Sequence, residues 1–211
     1  MMLRADKIAQ QLRKPDDPAD PLILRPRPNL DELDESGSAS IDIRLGCWFQ
    51  VFRASRLSHL DVYDETTTPP SESRLTEHHY VAFGEPFLLH PRTFVLAVTL
   101  EWIRLPNTLA GYVVGRSSWG RHGLIIATAT GVHPGFTGCL TLELTNVGEV
   151  PITIKPGTTI CQLFLHKVEG LGGPDNPKQF APSRFIGNRR PTVGPIILDP
   201  TALKLAKGVP E

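Results

Sequence analysis

Residues 115–148, GRSSWGRHGLIIATATGVHPGFTGCLTLELTNVG, concentrate the side chains whose types and spacing can do chemistry. Gly115-Arg116-Ser117-Ser118 follows the apolar run GYVV, and Arg121 comes shortly after. Backbone amides, hydroxyls and guanidinium groups at such a turn can hold an oxyanion or a phosphate. The four-residue string alone is a weak signal for that role. Further along, Leu140, Leu142 and Leu144 share one face of a strand, and Cys139, Thr141, Glu143 and Thr145 share the other. This pattern leaves Glu143 two places. It is a solvated glutamate on an outer sheet face, or a carboxylate held mid-strand for proton transfer. Pro134-Gly135-Phe136 puts a ring just after a tight turn, where it packs in the core or backs a sugar.

The elements that must position these residues are short strands. Ala5, Ile8, Ala9 and Leu12 form an i, i+3, i+4, i+7 stripe, so residues 3–13 are expected to be helical. Pro15, Pro18 and Pro21 end that helix, and residues 15–37 read as an extended connection. From Ser38 the chain turns to strands: Ile41, Ile43 and Leu45 alternate with Asp42 and Arg44. Residues 60–80, with TTTPPSES at the centre, read as a long surface loop. Further strands are expected in 87–103, broken at His90-Pro91, and in 111–114, 124–127, 140–144, 152–154 and 160–165. Pro134-Gly135, Asn146-Val147-Gly148 and Lys155-Pro156-Gly157 supply turns between them. The expected fold is mainly all-β, a distorted barrel or jelly roll with a short N-terminal helix. After Gly170 the composition changes, which divides the chain into a barrel domain, 1–170, and an extended C-terminal arm, 171–211. The arm carries a basic cluster: Lys178, Arg184, Arg189 and Arg190.

Composition narrows the function. With 22 basic and 22 acidic residues in 211, no net field draws the chain to nucleic acid or an anionic membrane. No apolar run approaches the roughly 20 residues needed to span a bilayer. The charged start MMLRADKIAQQLRK lacks the apolar segment of a signal peptide, so a cytoplasmic protein is expected. Cys47, Cys139 and Cys161 lie far apart and are expected to be reduced and buried.

Several segments in order resemble the dCTP deaminases of the dUTPase-like superfamily: GRSSWGRHGL, then HPGFTGCLTLEL, then KPGTTICQLFLHKVEG. Earlier, SASIDIRLGCWF is similar to that family's Ala-Ser-(Val/Ile)-Asp-(Val/Leu)-Arg-Leu-Gly stretch, and FLLHPRTFVLAVTLEWIRLP to its strand pair. RFIGNRRPTVG resembles the family's C-terminal arm, and the likeness runs from about residue 3 to residue 195.

The resemblance implies hydrolytic deamination of dCTP to dUTP and ammonia. Glu143 falls on the catalytic glutamate, which takes a proton from the water that attacks C4 and passes protons on to N3 and the leaving ammonia. Ser117 and Arg121 fall on residues that hold the water and the tetrahedral centre. Arg116 and Ser118 match triphosphate-binding positions at a subunit boundary, and Gln162 matches a glutamine near the phosphates. Phe136 matches the ring under the deoxyribose. Arg184, Phe185 and Asn188 match the arm that closes over the nucleotide. Thr130 falls where family branches differ and is carried as a substrate contact. His133 stands where the family usually has an aspartate, which in dUTPases and bifunctional deaminases helps hydrolyse dUTP; it contacts the 3′-hydroxyl instead or is a turn residue. The family further implies Mg²⁺ carried by the triphosphate, and a homotrimer or hexamer with shared sites. No zinc is expected, because zinc nucleobase deaminases need a closely spaced Cys pair and the chain has no Cys-x-x-Cys. The alternatives are a bifunctional enzyme that carries dCTP through to dUMP, a dUTPase, or a non-catalytic nucleotide sensor on the same scaffold.

Overall fold

The computed structural model describes residues 1–53, 75–127, 131–168 and 186–194. Helix α1, Ala5–Arg13, buries the expected stripe of Ala5, Ile8, Ala9 and Leu12. The segment after it is not a plain connection. It holds strand β1, Ile23–Arg25, and helix α2, Leu30–Glu35. Asn29 caps α2 by accepting from the Asp31 amide at 3.2 Å, Asp31 and Glu32 suit its positive end, and Leu33 is buried. A single buried leucine gives too little periodicity to reveal so short a helix.

The long strand β2, Ile41–Phe52, pairs along its second half with β3, Thr76–Tyr80. The end of the expected 60–80 loop is thus a strand, and residues 54–74 lie outside the described residues. Then follow β4 (Phe87–Leu89), β5 (Phe94–Arg104), β6 (Leu109–Gly115), α3 (Ser117–Gly120), β7 (Leu124–Ile126), β8 (Gly131–Val132), β9 (Thr137–Asn146), β10 (Ile152–Ile154) and β11 (Thr159–Lys167). The chain is mainly β, and its main sheet runs β7-β9-β5-β2-β11-β6-β8 among the described residues. Every pairing is antiparallel. Register shifts between Leu45 and Phe49 in β2, and between Val98 and Trp102 in β5, mark the bulges that let such a sheet curl. The curl brings the two ends of the order together: a Cβ placed on Gly115 of β6 would lie 3.2 Å from Ile126 of β7.

The core is one apolar cluster running from α1 through β11, with Phe49, Leu142, Leu144 and Leu163 fully buried. One carboxylate sits in it. Glu101, 2% exposed, accepts from the Arg44 amide at 2.9 Å and from Arg44 Nε at 2.7 Å. Both oxygens are satisfied, which is the condition for burying a charge.

The cysteines are all free, but only Cys161 is buried; Cys47 and Cys139 are half-buried. Burial pushes the Cys161 thiol from the ordinary value near 9.0 up to about 12, with Glu101 and Asp42 adding to the rise. Iodoacetamide at pH 8 is therefore expected to spare Cys161 in the native protein and label it after denaturation. Because the folded state holds this proton more tightly than the unfolded chain, its contribution to stability is complete below pH 9 and is lost as pH climbs toward 12. Labelling followed by peptide mass mapping checks the first statement, and urea melts across that window check the second. No helix among the described residues is long and apolar enough to cross a membrane.

Candidate active site

Strand β9 positions the central carboxylate. Its burial alternates strictly, with the leucines buried and Cys139, Thr141, Glu143 and Thr145 on the half-buried face. β5 fixes its register on one side, Leu96 opposite Glu143, and β7 on the other, Ile126 opposite Leu144. The Ala127 amide also donates to the Glu143 carbonyl at 2.9 Å, so the backbone at Glu143 is held from both neighbours. Its face opens into a cavity of about 300 Å³ whose lining includes His133, Phe136, Thr141, Glu143, Thr192 and Val193. Glu143 is therefore in a partly enclosed pocket and not on a solvated outer face.

The turn before β9 brings two further expected residues to that cavity. Gly135 has φ +75°, a conformation that favours glycine, and the Phe136 amide donates to the His133 carbonyl at 3.2 Å. The Phe136 carbonyl accepts from the Leu105 amide at 2.8 Å. The ring is 7% exposed, so Phe136 belongs to the core and forms a wall of the cavity at once. His133 is exposed at the rim.

The second set of expected residues lies on α3. Ser117 opens this helix, the Arg121 amide donates to the Ser117 carbonyl at 3.0 Å, and Ser118's carbonyl meets His122 Nδ1 at 2.8 Å. Trp119 Nε1 donates to the Thr159 carbonyl at 3.0 Å and pins the helix to β11. The following turn is locked to the end of β9. Gly123 has φ +91°, a Cβ there would come within 2.9 Å of the Gly148 nitrogen, and its carbonyl accepts from the Val147 amide at 2.9 Å. Fully buried Asn146 completes the lock. It donates to the Leu89 and Val150 carbonyls at 3.0 and 2.8 Å and accepts from the Gly148 amide at 2.9 Å. Ser117, Ser118 and Arg121 are exposed and do not line the Glu143 cavity of their own chain.

Arg116 and Gln162 meet through a residue that the motif reading did not single out. Arg116 Nη1 donates to Asp42 Oδ2 at 2.8 Å, and Gln162 Nε2 donates to Asp42 Oδ1 at 3.2 Å. Gln162 is the register partner of Asp42 in β2 and of Val114 in β6, so three adjacent strands converge there. Asp42's place in the SIDIRLG run, polar between two buried isoleucines, was the available signal. The pair is half-exposed, so its energy is small, but it fixes the two donors relative to each other.

Of the arm residues, Asn188 is half-buried, and its carbonyl accepts from the Cys139 amide at 2.9 Å. Thr130, Arg184, Phe185 and Lys178 lie outside the described residues. Among the described residues, no three His, Cys, Asp or Glu side chains converge as a metal site would require.

A family described as dCTP deaminase-like matches residues 6–168. The chain is 39% identical over 177 residues to a protein of Corynebacterium efficiens named "dCTP deaminase, dUMP-forming", covering 83% of this chain and 82% of that one. It is 41% identical over 155 residues to the protein of that name from Mycobacterium tuberculosis, covering 73% and 78%. It is 41% identical over 169 residues to the one from Rhodococcus erythropolis, covering 79% and 86%. The crystal structure of 2′-deoxycytidine 5′-triphosphate deaminase from Agrobacterium tumefaciens superposes with a TM-score of 0.57 at 21% identity. That match covers 82% of this chain, which spans half the length of the superposed one. The chain belongs to the dCTP deaminase-like family.

Proposed function

We propose that this protein deaminates dCTP and carries the product through to dUMP, with Glu143 as the proton carrier of the first step. The observation that carries the deamination is the placement of Glu143: one carboxylate, held by register on both sides, facing a cavity walled by Phe136 and rimmed by His133. A carboxylate there takes a proton from water as the oxygen attacks C4 of the cytosine. It passes that proton to N3, then moves the second proton from the new C4 hydroxyl to the amine as the C4–N bond breaks, so that water and dCTP become dUTP and ammonia. Ser117 and Arg121, supplied by a neighbouring copy, hold the water and the developing oxyanion.

The second step, dUTP to dUMP and pyrophosphate, rests on the relatives. The three compared above carry the name dUMP-forming, which supports the bifunctional reading over release of dUTP. One observation favours the simpler enzyme: His133 occupies the rim position where the resemblance expects an aspartate. Arg116 and Gln162 are the donors for the triphosphate, with Ser118 and the arm residues Arg184, Phe185 and Asn188 completing its enclosure. Thr130, which precedes Gly131 in sequence, is proposed as a further substrate contact. Magnesium would come with the nucleotide and would supply neutralisation of phosphate charge, beside the donors Arg116 and Gln162. Arg116 and Gln162, both held by Asp42, are guanidinium and amide donors of the kind that binds phosphate oxygens.

Incubation with dCTP, quantifying ammonia, dUTP, dUMP and pyrophosphate, tests both steps. Equal ammonia and pyrophosphate from dCTP is the expected result. Ammonia with dUTP alone would restrict the enzyme to deamination, and no ammonia from any cytosine nucleotide would overturn the assignment.

A further inference from the structure

Two cation–π contacts hold the arm segment 186–194 on the barrel. The Arg189 guanidinium lies 5.0 Å from the ring centroid of Trp102 in β5, and that of Arg190 lies 4.0 Å from Trp48 in β2. Trp48 is itself backed edge-on by Tyr80 of β3 at 5.1 Å, so the platform is built from two strands. Immediately before these arginines, two backbone hydrogen bonds tie the arm to the start of β9. The Gly187 amide donates to the Thr137 carbonyl at 2.7 Å, and the Cys139 amide donates to the Asn188 carbonyl at 2.9 Å. Immediately after them, Pro191 is buried, and Thr192 and Val193 line the Glu143 cavity.

We infer that Trp48 and Trp102 form a latch that sets the register of the arm through Arg189 and Arg190. The latch thereby places Thr192 and Val193 as a wall of the Glu143 cavity in the same chain. This rests on the reading of that cavity as the deaminase site. Two backbone hydrogen bonds alone specify register weakly, because a slip along β9 re-forms equivalent ones. A guanidinium stacked on an indole has one position. Adjacent arginines on separate rings fix both where the segment lies and which way it faces. A slip by one residue would turn the arginines off their rings and draw Thr192 and Val193 away from the cavity. The four residues are positioning residues: none of them lines the Glu143 cavity.

The test uses the full-length chain with Trp48→Leu/Trp102→Leu, Arg189→Ala/Arg190→Ala, and Arg189→Lys/Arg190→Lys. Amide hydrogen exchange is followed at Gly187 and Cys139, with Leu142 and Leu144 as internal references. Two contacts of the strength usual at exposed sites multiply to about tenfold in the docking equilibrium. The leucine and alanine variants are therefore expected to exchange about tenfold faster at Gly187 and Cys139, with Leu142 and Leu144 unchanged. The lysine variant, which keeps a cation, recovers part of the protection. With dCTP, KM rises several-fold and kcat falls less. Unchanged exchange at Gly187 in the alanine variant would overturn the latch. So would a KM in that variant equal to the parent's. Because exchange is read without turnover, a latch that behaves as expected in a chain releasing no ammonia would leave the latch standing and sink the deaminase reading. Arg189→Ala/Arg190→Ala also guards against misfolding of the tryptophan variant, since both arginines are exposed.

Discussion

Glu143→Gln is expected to bind dCTP with an affinity close to the parent's and to release ammonia about 10²- to 10⁴-fold more slowly. The amide has the shape of the carboxylate and fits the same half-buried position between Thr141 and Thr145. Its neighbours in β5 and β7 contact β9 through backbone bonds that the substitution leaves intact. Stability should therefore hold within the small range usual for a substitution that opens no cavity. What the amide lacks is a lone pair basic enough to take a proton from water, and an acidic proton to return. Ground-state contacts survive while the transition state loses its carrier, so kcat falls and KM stays. Ammonia release under saturating dCTP and calorimetric binding of dCTP separate the two quantities. Parent-level turnover in this variant would remove Glu143 from the mechanism.

Much of the fold was legible because strand alternation and helix periodicity report burial directly. The leucines of β9 and the apolar stripe of α1 are examples. The elements that escaped are those with too few buried positions to show a period. α2 buries only Leu33, and β3 only Thr76 at its start. Glu143 shows the limit of pattern from the other side. Alternation placed it on the polar face of β9, but could not say whether that face met water or a cavity. The curl of the sheet, set by bulges in β2 and β5, decides that point, and a bulge leaves no clear mark in composition. The family resemblance supplied the proposed roles, yet it passed over Asp42 and Asn146. Their work is to bond other residues of the site: Asp42 orients Arg116 and Gln162, and Asn146 ties the α3 turn to β9. Such long-range partners follow from register, which the sequence does not display.

Mixing two inactive variants is expected to restore activity, and this follows from where the site residues lie. Within one chain, Glu143 lines its cavity, while Ser117 at the start of α3 and Arg121 just after it stand exposed outside that lining. The turn that follows α3 is locked by Gly123 and Asn146, which fixes the backbone from which Ser117 and Arg121 project. If both groups act on one nucleotide, a second copy must bring them, as closed homo-oligomers allow. Glu143→Gln alone and Arg121→Ala alone should each be nearly inactive, because every site then lacks one of its two contributions. After the two are unfolded together and refolded at equal amounts, a site needs its carboxylate from an Arg121→Ala chain and its guanidinium from a Glu143→Gln chain. With random assembly, about one site in four meets both conditions, so about a quarter of parental activity should return. A chain carrying both substitutions, refolded with the parent, supplies the control for dilution. Failure of the mixture to exceed its separate components, in a preparation that sediments as a mixed oligomer, would confine each site to one chain. Ser117 and Arg121 would then leave the proposed mechanism, whatever becomes of Glu143.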